Sequence, residues 1–520
     1  MPGSPEGSDS LTGGGTLRVG LVADPVSIDP AYVVDDEGDL VVAALFDPLV
    51  RLDADMRVVP SAAHAWEVSE DGRTVRFSLR RSTFHDGTPV TAHDFERAFQ
   101  RIVDETRPDR STVGFLLDDV EGVDVARAGG PFSGVVVEDD HTLVIHLSGP
   151  RPRAVAMFAH ASLVPVPASA VGDPTTFGEQ PIGNGPFQML EPRERGAFVR
   201  VARYDDHPSP PTVDDVLFTV YDSDPDGDRQ WQDLQAGLLH VARITPERVE
   251  EARDVFGAAI GGREGPGLVD AVSSTVYLYG FALDVAPYDD VRVRRALSMA
   301  VDREVIAESL GETRSPAGSI VPPSIPGSRP GVCDHCIHDP VSARELWDAY
   351  VAERAARDEA VPLLTLTHNR GATHAAIAEQ MAGQIEEALD VQVVLRAHDL
   401  QVFLRNVSRG EVGMFRLGWQ PTEPHAGSYL RPLFHTDSIG LENLTGFSDP
   451  EVDLLLDAAL EAPFPGTAIV RWREAEARIL DQMPVLPLLY YHHSLVIAPD
   501  VQGLTWPVFG PPDLSRVTIE

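Results

Sequence analysis

An α/β protein of more than one lobe is the fold class that this sequence predicts, and three observations predict it. At 520 residues the chain exceeds what one hydrophobic core usually supports. Its final third alternates strand-like and helix-like segments, a βαβ rhythm that implies a parallel or mixed sheet wrapped by helices. Hydrophobic residues make up 43% and charged residues 23%, ordinary for a globular chain, and no apolar run approaches the ~20 residues that cross a bilayer.

Element by element, "LRVGLVA" opens as a buried strand, and Asp24-Pro25 and Asp29-Pro30 break the chain into a loop. "DEGDLVVAALFDPLV" has Leu40, Ala43 and Ala44 at helical spacing, with Pro48 as the stop. "AHAWEVSEDGRTVRFSLR" predicts a hairpin: Trp66 and Val68, a turn at Glu70-Asp71-Gly72, then Val75, Phe77 and Leu79 alternating. Further strands are expected at 141–148, 213–221 and 274–283, the first of them "HTLVIHLS". Helices are expected in "DRQWQDLQAGLL", closed by Gly237, and after Asp289 or Asp290 as cap. Asp302 restarts a helix that Gly311 ends, and "SARELWDAYVAERA", "AIAEQMAGQIEEAL" and "LQVFLRNVSRG" supply helices to the last third. Residues 1–15 read as a flexible tether.

Charge narrows the function classes. Asp and Glu number 80 against 42 basic residues, a net charge of −38, and every basic residue is Arg. Such a field repels phosphate backbones, so no nucleic-acid partner is expected. Without lysine there is neither Schiff-base chemistry nor a phosphate loop ending in Gly-Lys.

Three stretches carry candidate chemistry. His85-Asp86 resembles an acid–base couple, but no nucleophile motif accompanies it and G-x-S-x-G is absent from the chain. Asp86-Gly87 suits a tight turn, and Thr91 with Asp94 three residues on suits a helix cap, so the pair is expected to be structural. In "PGVCDHCIHDP", Cys333 and Cys336 are interleaved with His335 and His338. A short-loop disulfide is the expectation there, with a zinc site or free thiols as the alternatives. In "MFRLGWQPTEPHAGSYLRPLF", Arg416 and Trp419 fall where a predicted strand gives way to a Pro-rich loop. Ligands gather outside the carboxyl ends of such strands, and an arginine beside an apolar ring suits carboxylate capture.

Taken together, "LRVGLVADPVSIDP", "LFDPLVRLD", "RFSLRRSTFHDGTPVTAHDF", "PIGNGPF", "YDDVRVRRALSMAVDREVI", "MFRLGW" and "PLLYYHHSLVIAPDVQGL" resemble one family in its own order, from Thr16 to the C-terminus. That family is the family-5 solute-binding proteins of ABC importers, the oligopeptide- and dipeptide-binding group. The resemblance implies a type II two-lobe clamp, like the periplasmic binding proteins, with an extra third domain and two hinge crossovers. One lobe would comprise 16–52, 180–272 and 488–520, the extra domain 53–179, and the other lobe 273–487.

The resemblance also implies a function. The chain would capture a peptide or peptide-like solute between the lobes, without catalysis, cofactor or metal, and deliver it to permease and ATPase subunits. It would be a monomer on the extracytoplasmic side, as a periplasmic protein or cell-surface lipoprotein whose export signal is not in this chain. Arg416, Leu417, Gly418, Trp419, Tyr490, Tyr491 and Tyr32 are the expected cleft residues. Where family members place an aspartate for the peptide amino terminus, this chain has Thr422, with Glu423 adjacent as a substitute. The departure raises the share of non-peptide ligands: a metal complex, haem, an oligosaccharide or a modified amino-acid compound. A hydrolase using His85-Asp86 or His492-His493 is the remaining alternative.

Overall fold

Strand β1 (Thr16–Leu21) buries every second residue and then its whole end, and it feeds a loop that leads into helix α1 (Asp36–Leu45). Asp35 caps that helix, its Oδ1 accepting from Gly38 N at 2.7 Å, and Asp36, Glu37 and Asp39 fill the first turn, where the helix dipole favours negative charge. The computed structural model describes residues 14–520 except 112, 152, 153, 223, 225, 226 and 312. Most of the expected tether, residues 1–13, lies outside the described residues, while Gly15 N donates to Asp214 Oδ2 at 2.8 Å.

A four-stranded antiparallel sheet follows, built from β2 (Ala63–Val68), β3 (Thr74–Leu79), β4 (Val135–Asp139) and β5 (Thr142–His146) in the order β2-β3-β5-β4. Helix α2 (Ala92–Val103) packs Phe95, Phe99 and Ile102 against it. Its start is a capping box in which Thr91 N donates to Asp94 Oδ2 at 2.7 Å. Before it, Thr88 N donates to Asp86 Oδ1 at 2.9 Å, closing the turn expected there. His85 is held between two backbone groups: Gly183 N donates to its Nδ1 and its Nε2 meets Gly185 O, both at 3.1 Å. A Cβ at Gly183 would stand 1.9 Å from Leu45 O, so only glycine lets the "PIGNGPF" turn lie against the end of α1.

Apart from two short two-strand pairs, Val50–Leu52 with Val58–Pro60 and Val501–Gln502 with Thr518–Ile519, the remaining strands form one 11-stranded sheet. Its members are β1, β6 (Phe187–Met189), β7 (Phe198–Arg203), β8 (Asp215–Val220), β9 (Val241–Arg243), β10 (Gly267–Phe281), β11 (Arg314–Pro316), β12 (Leu364–Asn369), β13 (Val393–His398), β14 (Met414–Trp419) and β15 (Val485–Ile497). The order is β13-β12-β14-β10-β15-β9-β1-β8-β7-β6, with β11 pairing β15. Strand β1 runs parallel to β8 and β9, and β12 runs parallel to β13 and β14, so the connections between those partners carry helices. One of them, α3 (Ala372–Leu389), buries Ile377, Met381 and Ile385.

Strands β10 and β15 join two separately packed halves. Their outer ends, Val269 and Leu495 to Ile497, pack with Leu17, Val41, Phe77 and Phe218, a core shared with the four-stranded sheet. Their other ends enter the second half, where the pleat sends Val276, Leu278 and Tyr490 toward Tyr429 and Trp472, and Tyr277, Tyr279 and Leu488 toward Trp347 and Met381. The antiparallel register breaks between Val272 and Val276, where the two strands pass from one core to the other. The fold is thus a two-lobe α/β clamp with two crossing strands and an additional antiparallel domain. In the second lobe Cys333 and Cys336 are joined by a disulfide, both buried.

Candidate functional site

A cavity opens where the register breaks. Its floor is the crossing strands themselves, Ser273 to Thr275 of β10 and Tyr491 to His493 of β15. The end of β1 (Gly20, Leu21) and β9 (Val241, Arg243) form one side, with Asp36, Glu37 and Asp39 of α1 above them. Trp506 and Val508, with Gly510 to Pro512, close another side, and Gln420, one residue past β14, reaches in from the second lobe. The cavity therefore sits at the carboxyl end of a parallel strand and touches both lobes, the position that α/β folds offer to ligands.

Its walls are charged unequally. Asp39 Oδ1 is buried with no hydrogen-bond partner among the described residues. Burial, and then the neighbouring Asp36 and Asp35, push the Asp39 carboxyl up to about 7. Burial also raises Glu37, against the opposing pull of Arg243. Arg243 Nη2 stands 3.5 Å from Asp36 Oδ2, a long contact. Burial lowers the His493 imidazole to about 4, so it is neutral at pH 7. His492 is engaged on both nitrogens: Nδ1 lies 2.8 Å from Asp270 Oδ1 and Nε2 lies 3.0 Å from Ser315 Oγ.

Behind Tyr491 lies a basic cluster. Arg314 places its guanidinium 4.0 Å from the Tyr491 ring centroid, and Tyr491 is 6.2 Å from Tyr277. Arg416 covers Tyr277 at 5.1 Å, and its Nε is buried with no hydrogen-bond partner among the described residues. Tyr277 Oη meets His374 Nδ1 at 3.0 Å. Burial first, then the charges of Arg416, His368 and Arg314, hold the His374 imidazole down at about 4. Two adjacent tyrosines are thus flanked by an arginine on either side, and Tyr491 carries the group to the cavity wall.

The expected cleft residues are only partly brought together. Arg416 and Gly418 share the face of β14 that holds Tyr277, whereas Leu417 and Trp419 point to the opposite face, toward Val276 and Leu278. Trp419 Nε1 donates to Ser428 O at 2.7 Å. Tyr490 is 5% exposed, with its hydroxyl on Ser319, and Tyr491 beside it borders the cavity. Tyr32 does not line the cavity; its hydroxyl donates to Asp109 and Arg101 covers its ring. Thr422 is half-buried. Glu423 pairs with His425 at 2.7 Å and borders a different, smaller cavity beside Asp119 and Arg151.

Asp36, Glu37 and Asp39 were not anticipated as site residues. The available signal was their place one loop beyond the carboxyl end of a buried strand, which the acidic composition of the whole chain obscures. Among the described residues no group of three or more His, Cys, Asp or Glu side chains is arranged to hold a metal ion, and no helix is long and apolar enough to cross a membrane.

Residues 57–440 match the family described as bacterial extracellular solute-binding proteins, family 5. The chain is 27% identical over 502 residues to the probable deoxycholate-binding periplasmic protein YgiS of Escherichia coli (strain K12), covering 94% of this chain and 90% of that one. It is 25% identical over 527 residues to the oligopeptide-binding protein OppA of Bacillus subtilis (strain 168), covering 97% and 93%. Among solved structures, the unliganded open form of the periplasmic murein tripeptide-binding protein MppA aligns over 97% of each chain, with a TM-score of 0.78 at 25% identity.

Proposed function

The chain belongs to the bacterial extracellular solute-binding proteins of family 5, and from that premise we propose that it captures a peptide or peptide-like solute between its lobes and delivers it to the permease and ATPase of an ABC importer. One observation carries the reading: the cavity is bounded at once by both crossing strands, the first lobe and Gln420 of the second. A solute filling it touches more surface in the closed clamp than in the open one, and that difference drives closure. Relatives over most of the chain's length are named as binding proteins, which supports a receptor without catalysis.

In this reading 16–52, 180–272 and 488–520 form the first lobe, 53–179 the domain attached to it, and 273–487 the second lobe. The change of packing partners at Val272/Val276 supports the boundary at 272/273, whereas in the other crossing strand Leu488, Leu489 and Tyr490 still pack with the second half, so that crossing lies a few residues beyond 488. Arg416 and Arg314 receive the solute carboxylate, and Tyr491 supplies a flat apolar wall. A Cβ at Gly418 would stand 3.0 Å from Arg416 Nη2, so the glycine leaves room for that guanidinium. Leu417, Trp419 and Tyr490 brace the strand from behind, and Tyr32 steadies the first lobe.

Thermal unfolding with a set of di- to pentapeptides tests the proposal. A cognate peptide at about 100 times its Kd stabilises the protein by about 2.7 kcal/mol and is recovered intact by mass spectrometry. Absence of stabilisation by every peptide, or recovery of cleaved fragments, overturns it. A second reading, a non-peptide solute, is favoured by Thr422, whose hydroxyl stands where a carboxylate is expected. Native mass spectrometry of the protein with its co-purified ligand separates the two.

A further inference from the structure

We infer that the acidic first turn of α1, Asp36, Glu37 and Asp39, receives the positively charged group of the solute, so that the cleft selects ligands bearing a free ammonium or guanidinium group. This inference rests on the solute-binding reading above and adds to it the class of ligand and the direction in which it lies.

Acidic residues at the start of a helix ordinarily cap it, and that task is already filled here. Asp35 accepts from Gly38 N at 2.7 Å and from Val26 N at 3.0 Å. Asp39 stands a turn further in, where the backbone N–H groups bond within the helix, so it has no capping role. Its Oδ1 is nevertheless buried and without a partner among the described residues, on the wall of the cavity. An unsatisfied buried acceptor costs stability, and a donor arriving with the ligand relieves that cost. The raised Asp39 carboxyl has the same cause, since burial and neighbouring acids disfavour its charge and a cation beside it restores it.

The other candidates for a cation partner are occupied. Thr422 has no charge, and Glu423 pairs with His425 beside another cavity. Asp270 holds His492 at 2.8 Å and Arg253 at 3.2 Å. Among the described residues only Arg243 opposes the three acids on the cavity wall, at 3.5 Å from Asp36, so the turn keeps a net negative charge. Across the cavity Tyr491 carries Arg314 and, through Tyr277, Arg416. The cavity wall is therefore acidic at α1, with the two guanidinium groups set behind Tyr491, a polarity matched by a solute whose cation lies toward α1.

Isothermal titration of the full chain with trialanine and with N-acetyl-trialanine tests the inference. The wild type is expected to bind trialanine at least tenfold more tightly than the acetylated peptide. In Asp39→Asn and in Glu37→Gln/Asp39→Asn this preference is expected to fall below threefold. The unliganded Asp39→Asn protein is also expected to melt at a higher temperature than the wild type, because an unpartnered buried charge has gone. Equal affinity of the wild type for both peptides, or undiminished preference in the double variant, overturns the assignment and leaves the receptor reading standing. Failure of the wild type to bind either peptide overturns the assignment, and the peptide reading is then decided by the wider peptide set.

Discussion

His492 Nδ1 lies 2.8 Å from Asp270 Oδ1, so a side chain of one crossing strand is bonded to a side chain of the other. The bond stands beside the register break, where the backbone ladder between β10 and β15 is interrupted. Asp270 is further held by Arg253 at 3.2 Å, and His492 by Ser315 at 3.0 Å. The brace compensates for backbone pairing lost at the hinge. Hydrogen bonds to charged groups contribute about 1.5–3 kcal/mol, so His492→Ala is expected to lose stability in that range. Urea unfolding measures it, and an unchanged midpoint would show the brace to be idle.

Ser315, His492 and Asp270 also follow the order of a nucleophile, its base and the group that orients the base. The receptor reading predicts that this order does no chemistry. With p-nitrophenyl acetate or a peptide, the wild type and Ser315→Ala are expected to show the same background rate. Faster hydrolysis by the wild type would place a reaction at the hinge.

Arg416 Nε is buried and unpaired among the described residues, and its guanidinium is held over Tyr277. Arg416→Ala is expected to keep the fold and weaken binding of a free-acid peptide by tenfold or more, the equivalent of about 1.4 kcal/mol or above. Calorimetry against the corresponding peptide amide checks the cause. If the amide loses as much as the acid, Arg416 does not read the carboxylate.

His85 is held neutral: burial, above all, lowers its imidazole to about 4, and its Nδ1 accepts from Gly183 N. Its folded value lies below the unfolded value of about 6.5, so the stability it contributes above pH 6.5 is lost as pH falls toward 4. For this partly exposed group the loss is about 2 kcal/mol after discounting for solvent. His160, His374 and His493 shift the same way, so His85→Asn is expected to remove only its own share of the acid-side slope. Melting temperatures between pH 4 and 7 measure it.

A net charge of −38 spread over one chain makes the folded state repel itself. Screening shortens from about 10 Å at 0.1 M salt to about 3 Å at 1 M. The melting temperature is therefore expected to rise by several degrees between 0.05 and 1 M NaCl. A fall over that range would show that exposed, screenable ion pairs such as Arg471–Glu474, at 3.2 Å, outweigh the repulsion.

Local structure was legible wherever a few neighbouring residues decide it. Trp66 with Phe77, and Val68 with Val75, face each other across the hairpin that their alternation predicts. The Thr91–Asp94 box, the Asp290 cap and the Asp302 cap form as read. The strand expected at 274–283 runs from Gly267 to Phe281, because its first half is fixed by pairing with residues more than 200 positions away. The placement of site residues was less legible for the same reason. Spacing alone does not reveal that β14 turns Arg416 and Trp419 to opposite faces, or that β15 buries Tyr490 and presents Tyr491. The acids of α1 depend on contacts assembled from residues as distant as Gly20 and Pro512.

The misaligned stretch Ser273 to Thr275 has a mechanical consequence. Rungs on either side of it belong to separate ladders, so the two blocks can tilt about those three residues while each retains its own backbone bonds. Swinging open then draws on torsional compliance and the release of a few side-chain contacts, without peeling any strand from its neighbour. In a gripping device built this way the hinge itself favours neither state strongly, and grip strength is left to the chemistry of the cargo.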